Sequence, residues 1–140
     1  VYRQTSMFQF ERLLHQERKS GELSTERINF LWRSTQKQMF GKSVELTKEY
    51  DYWWGYIPHF VHTPFYVYAY AYGELLTLGL YEQFQKTGSS FVPKYEALLS
   101  AGASKTPNEL LSPFAPNIEY FWKYGIKQIK ILNDELIQLV

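Results

Sequence analysis

The residues best suited to chemistry stand together in Ile57-Pro58-His59-Phe60-Val61-His62-Thr63-Pro64-Phe65-Tyr66-Val67-Tyr68-Ala69-Tyr70. Two histidines three positions apart are followed by tyrosines at every second position. A neutral tyrosine hydroxyl and an imidazole N–H are donors that can stabilise an oxyanion without becoming metal ligands. If Pro64 opens a helix, both histidines lie in the turn before it. Tyr66, Tyr70 and Gly73 then share one face and Tyr68 and Tyr72 another, since steps of four and seven nearly close on a turn of about 3.6 residues. The competing reading makes these rings core aromatics with satisfied hydroxyls, the commoner fate of a tyrosine.

Metal chemistry finds little here. A catalytic zinc asks for three converging protein ligands, often spaced as H-E-x-x-H on one helix face. His15 stands in His-Gln-Glu-Arg-Lys with no second histidine at the fourth position, and reads as a partly exposed helix residue. His59 and His62 lie in a proline-interrupted segment, and the next acid along the chain is Glu74. No metal ligand is assigned within this chain. The chain has no cysteine, so disulfides, thiolate zinc sites and a cysteine nucleophile are excluded. G-x-S-x-G, the Walker A loop and G-x-G-x-x-G are absent as well.

The elements that must position these residues are helical. Met7, Phe10, Leu13 and Leu14 recur at helical spacing, with Arg3, Gln9, Glu11 and Gln16 left for other faces. They predict a helix from about Tyr2 to Lys19, closed by Gly21. Ser24 caps a second helix with the stripe Ile28, Leu31 and Trp32, ended by Gly41. Residues 42–61 are irregular in pattern. Thr63-Pro64 offers a cap and a first-turn proline, which predicts a long helix from there to about Lys86. Tyrosine alternation over 65–72 is also a strand signal. Helix is preferred because the pattern runs into Leu75, Leu76, Leu78 and Leu80 without a turn. A short helix over Phe91 to Ser100 ends at Gly102, and Thr106-Pro107-Asn108-Glu109 is a strong helix start. Asn117 opens a last helix whose Ile118, Phe121, Trp122, Gly125, Ile129, Leu132, Leu136 and Leu139 form an apolar stripe. The expected fold is all-α, with about six helices.

Length and composition agree with one helical domain over residues 1–140. The chain has 140 residues, 45% of them hydrophobic and 21% charged, which is globular rather than disordered. A net charge of +1 argues against a nucleic-acid partner. Between Tyr50 and Pro93 only Asp51, Glu74, Glu82 and Lys86 are charged, and Tyr52 to Gly73 carries no formal charge. That run has the length of a membrane span, but Gly55, Pro58, Pro64 and Gly73 interrupt it, and its imidazoles and hydroxyls would need partners in hydrocarbon. No membrane partner is expected. Aromatic residues make up 19% of the chain, which fits the lining of a cleft as well as a core. Val1 opens inside a helical pattern with no basic or apolar leader, so the chain reads as a fragment without a secretory signal. Such a piece is expected to expose an apolar face and to self-associate through it.

Three segments resemble a known family in the same order. IPHFVHTPFYVYAYAYGELL is similar to the stretch I-P-H-F-…-F-Y-V-Y-Q-Y-A-x-G of the oligoendopeptidase F group of the thimet-oligopeptidase-like zinc metallopeptidases. Val1-Tyr2-Arg3-Gln4-Thr5-Ser6-Met7-Phe8-Gln9-Phe10-Glu11 resembles that group's R-Q-T-x-F-x-x-F-E helix. Tyr95 to Ser104, continued by Pro107 and Glu109-Leu110-Leu111, is similar to its Y-x-x-F-L-x-x-G-G-S-x-x-P-x-E-L-L stretch. The departures are His62, Pro64, Tyr72 where a small residue is common, and Ala103 in place of a second glycine.

The resemblance implies the C-terminal part of a cytoplasmic zinc metalloendopeptidase that cleaves short peptides in a deep helical cleft. In that group H-E-x-x-H and a downstream glutamate bind zinc, and all of them precede the R-Q-T helix, so zinc would be held outside this chain. Carried over by position, His59 and Tyr66 are the cleft-wall donors that face the developing oxyanion. Tyr68, Tyr70 and His62 are substrate-contacting residues of the same wall. The isolated chain is then expected to be inactive. The alternative is a non-enzymatic all-α module whose aromatic cleft binds a ligand without chemistry.

Overall fold

The computed structural model describes residues 1–139. Among them are seven α-helices, two 3-10 segments and no strand, so the fold is all-α as expected, with one helix more than the rough count. The chain divides into two compact units, residues 1–72 and 73–140. Each has its own cluster of buried apolar side chains.

The first unit begins with α1 (Tyr2–Arg18) and α2 (Thr25–Phe40). Ser24 caps α2 as expected, its Oγ accepting from the Arg27 amide at 3.3 Å, and Gly41 ends it at φ 59°. A 3-10 segment (Glu49–Tyr56) lies along α2. Indole donors pin it there: Trp32 Nε1 donates to the Tyr50 carbonyl at 2.9 Å, and Trp54 Nε1 to Asn29 Oδ1 at 2.7 Å. Arg33 adds bonds to the carbonyls of Leu46 and Thr47 and an ion pair with Asp51. The core gathers Met7, Phe10, Leu31, Trp32, Ile57 and Val67. Phe10 sits edge-on to Trp32 and to Phe60, with centroids 5.3 and 5.1 Å away.

Two expectations for this unit fail. Glu11, placed on an outer face of the first helix, is fully buried. Met7 and Leu14 lie four before and three after it, so the apolar stripe itself carries it inward. Thr63-Pro64 does not open a helix either. One helical turn, α3 (His59–His62), occupies ground expected to be irregular, and α4 (Tyr68–Thr87) starts four residues beyond Pro64. Between them lies a turn in which the Tyr66 amide donates to the Thr63 carbonyl at 3.2 Å and Phe65 takes φ 62°. Proline at the second turn position and a left-handed residue at the third are the marks of a type II turn, and proline suits that place as well as a helix start. The sequence signal was therefore ambiguous, and the buried carboxyl oxygen of Glu11, accepting from the Phe65 amide at 2.6 Å, favours the turn.

The second unit holds the rest of α4, a 3-10 segment (Gly88–Phe91), α5 (Val92–Ala101), α6 (Pro107–Leu111) and α7 (Ile118–Leu139). Thr106 and Glu109 form the expected capping box: the Glu109 amide donates to Thr106 Oγ1 and the Thr106 amide to Glu109 Oε2. These bonds hold the Glu109 carboxyl below its usual range. Leu80, Phe91, Leu111, Phe114, Ala115 and Phe121 make the core. On α7 the expected stripe is buried at Phe121 and Gly125, whereas Leu132, Leu136 and Leu139 are exposed.

Residues 73–87 of α4 meet α7 through two glycines. A Cβ on Gly79 would stand 2.9 Å from the Phe121 ring, and one on Gly125 only 2.6 Å from the Leu75 carbonyl oxygen. Beside this contact Glu82 is buried and bonded by Lys127, Lys86 and Gln128. Those donors, Lys127 first, outweigh the cost of burial and lower its pKa to about 2.

Two outcomes follow. Gly125→Ala gains about 1 kcal/mol of helix propensity but overpacks against a backbone carbonyl, which costs ~1–3 kcal/mol. Denaturant unfolding should show a net loss, while Gly73→Ala, also in α4 with nothing within 4 Å, should gain stability. Because the folded pKa of Glu82 is depressed, its contribution is full above the ordinary carboxylate pKa and is lost as pH falls towards about 2. The stability gap between wild type and Glu82→Gln should therefore narrow through that window in acid-dependent melts.

Candidate active site

Ile57 and Val67 are both buried in the first unit's core, and the segment between these anchors, residues 58–66, carries the histidines and Tyr66. His59 begins α3, next to Pro58, whose fixed φ suits the position before the helix. Tyr66 leaves the turn beside Val67. Tyr68 and Tyr70 lie in the first turn of α4.

Three of the five candidate residues come together. The His59 and Tyr66 rings stack at 5.5 Å with planes 11° apart, and Tyr70 stands edge-on to both, at 5.7 Å from His59 and 5.5 Å from Tyr66. The Tyr70 hydroxyl and His59 Nε2 are hydrogen-bonded at 3.1 Å. When Tyr70 donates, the imidazole proton sits on Nδ1, and that nitrogen is the donor left to the histidine. Among the described residues nothing pairs with the Tyr66 hydroxyl, and the side chain is 45% exposed. The Tyr66 ring is therefore neither a core aromatic nor the bearer of a hydroxyl already spent inside the protein.

Tyr68 and His62 are not part of this cluster. Tyr68 packs edge-on to Phe8 at 6.4 Å and to Tyr72 at 6.3 Å. His62 is exposed at the far end of α3. Tyr66 meets Tyr70 through the turn rather than along one helix face, since residue 66 precedes α4.

His59 and Tyr70 also line a cavity of about 460 Å³, together with Arg3, Gln4, Tyr56 and Pro58. Its wall thus joins the first turn of α1 to the loop before α3. Gln4 Oε1 is buried with no hydrogen-bond partner among the described residues. Gln4 was read in the sequence only as part of a motif, and Arg3 also as a residue of an outer helix face; their place one turn before the core residue Met7 is the signal that sets them at its edge.

No group of three or more His, Cys, Asp and Glu among the described residues could hold a metal ion. His59 Nε2 is engaged by Tyr70, and His62 has no acid beside it that would complete a ligand set. The described residues do not by themselves assemble a zinc ligand set. No helix among the described residues is long and apolar enough to cross a membrane.

What fold and cluster define is a class, an all-α chain that presents neutral hydrogen-bond donors beside a cavity. Comparison with protein families matches residues 1–119 to Peptidase family M3. Similar curated proteins include Oligopeptidase PepF of Bacillus subtilis (strain 168), 36% identical over 112 residues, which is 79% of this chain and 17% of that protein. Oligoendopeptidase F, plasmid, of Lactococcus lactis subsp. cremoris is 31% identical over 120 residues, 85% of this chain and 20% of its own. Oligoendopeptidase F homolog of Borreliella burgdorferi is 30% identical over 112 residues, 79% and 19% of the two chains. No solved structure matches the chain. The chain belongs to peptidase family M3, in an oligoendopeptidase F-like group. It spans about a fifth of the length of the curated relatives it matches.

The Tyr70–His59 bond is partly exposed, so Tyr70→Phe should change stability by no more than about 0.5 kcal/mol. The His59 ring nitrogens should nevertheless shift in 15N spectra as Nε2 loses its partner, and unmoved resonances would show that the bond does not form.

Proposed function

We propose that this chain is the donor-bearing part of an oligoendopeptidase F-like zinc metalloendopeptidase that hydrolyses short peptides in the cytoplasm. The observation that carries this reading is the His59–Tyr66–Tyr70 cluster at 5.5–5.7 Å ring separations, with the Tyr66 hydroxyl unpaired, in a chain of peptidase family M3. The curated relatives, oligopeptidases and oligoendopeptidases by name, favour it over a non-enzymatic binding module.

In this reading Tyr66 and His59 are catalytic residues. Attack on a peptide carbonyl moves charge onto its oxygen, and a fixed neutral donor strengthens its hydrogen bond as that charge grows. The stacked imidazole limits the Tyr66 ring's rotation, and Tyr70 orients the imidazole in turn. The donors are thus aimed before substrate arrives, which avoids reorganisation at the moment of reaction. Tyr70, Tyr68 and His62 contact the peptide. Zinc would be held by residues outside this chain, where a bound ion supplies carbonyl polarisation and a nucleophilic water at neutral pH.

Since neither function is available from these residues, the 140-residue chain by itself should not cleave a quenched fluorescent peptide. In a peptidase that contains the chain, Tyr66→Phe should lower kcat by roughly 10²–10³, about 2.7–4 kcal/mol, the scale for a single oxyanion donor. KM should change little, because the lost bond matters most in the transition state. An unchanged kcat would remove Tyr66 from the mechanism.

A further inference from the structure

Phe65 is the one non-glycine residue with positive φ among the described residues, and it directly precedes Tyr66. A bulky aromatic in left-handed backbone persists only where its surroundings over-determine it. Two features of α1 hold this one. Glu11, fully buried, accepts the Phe65 amide on Oε1 at 2.6 Å. One turn further on, the His15 ring lies 4.3 Å from the Phe65 ring at 33°. No other hydrogen bond competes for the Glu11 carboxyl: Oε2 is buried without a partner, and His15 Nε2 stays 3.9 Å from Oε1. On the other side of Tyr66, Val67 is 1% exposed and locked in the core. The phenol ring is thus carried on a single residue between a clamped amide and a buried anchor.

We infer that Glu11 is a positioning residue: by holding the Phe65 amide it fixes the left-handed turn and so sets the Tyr66 ring against His59. Its catalytic consequence rests on the reading of Tyr66 as an oxyanion donor; the geometric part stands by itself. What the clamp requires is an acceptor atom at that point, not a packed side chain. Met at position 11 would fill the space without accepting, whereas Gln keeps a carbonyl oxygen where Oε1 lies. A glycine at position 65 would adopt the same φ without the clamp.

These differences set the experiment. In NMR spectra of the 140-residue chain, the wild-type Phe65 amide should lie downfield and resist exchange, with cross-peaks between the Tyr66 and His59 rings. Glu11→Met should lose those ring cross-peaks, Glu11→Gln should retain them, and Phe65→Gly placed on Glu11→Met should restore them. In a peptidase that contains the chain, kcat should follow the same order, falling by on the order of 10²-fold in Glu11→Met with little change in KM. Ring contacts that survive Glu11→Met, or that stay lost in the Phe65→Gly double variant, would overturn the inference. Should Glu11→Met fail to fold, the wild-type chain decides: a Phe65 amide exchanging like an open loop amide overturns it. If the ring contacts respond as expected but Tyr66→Phe leaves kcat unchanged, the catalytic reading of Tyr66 fails and the clamp does not.

Discussion

The left-handed backbone at Phe65 governs the geometry of the first unit's site. It costs about 1–2 kcal/mol for a residue with a side chain, and two local gains offset it. Burial of Val67 contributes on the order of 1.5–3 kcal/mol, and the bond from the Phe65 amide to Glu11 a further ~0.5–1.5 kcal/mol. Removing that acceptor is worse than losing the bond, because a part-buried amide would be left unmet, at up to about 1–3 kcal/mol. The turn therefore stands because both its ends are tied down. Its product is an aromatic ring exposed at 45% yet fixed by a stacked imidazole and an edge-on phenol. Exposure gives access to a ligand, and the ring contacts give direction.

The second unit solves a different problem. Gly79 and Gly125 remove the side chains that would keep residues 73–87 of α4 from α7, so the two helices meet at backbone distance. Such closeness leaves Glu82 shielded from water, which would be costly for a lone carboxylate. It remains ionised because two ammonium groups and an amide converge on it. Packing and charge pairing are coupled here: a residue that separates the helices would also pull Lys127 and Gln128 away from Glu82.

Much of this was legible in the sequence. Caps at Ser24 and Thr106, and Gly41 and Gly102 as stops, marked helix ends because local chemistry alone determines them. His59, Tyr66 and Tyr70 were singled out by residue type and by family resemblance, and the structure brings their rings together. Pro64 was not, since the same residue is favoured at a helix start and in a turn. The choice between them lies with Glu11, which is 54 residues from its partner Phe65 along the chain. Glu11 itself was misplaced for a related reason: a carboxyl group is normally assigned to solvent, whereas here the apolar stripe carries it inward and the Phe65 amide meets it there. Tyr68 and Tyr70 looked alike in an alternating run, yet the late start of α4 sends them to different neighbours. The division at residues 72 and 73 falls inside α4 and has no local mark apart from Gly73.

In the proposed mechanism the phenol of Tyr66 binds the reacting carbonyl oxygen more tightly as charge builds on it. A phosphinic peptide inhibitor, whose tetrahedral anion imitates that state, separates this from ordinary substrate contact. Its Kd should be measured on a peptidase containing this chain, with and without the hydroxyl of Tyr66, beside that of an uncleaved substrate analogue. The phosphinate should lose affinity by the factor by which kcat/KM falls, while the analogue is unaffected. Equal losses for both ligands, or none for either, would contradict that mechanism.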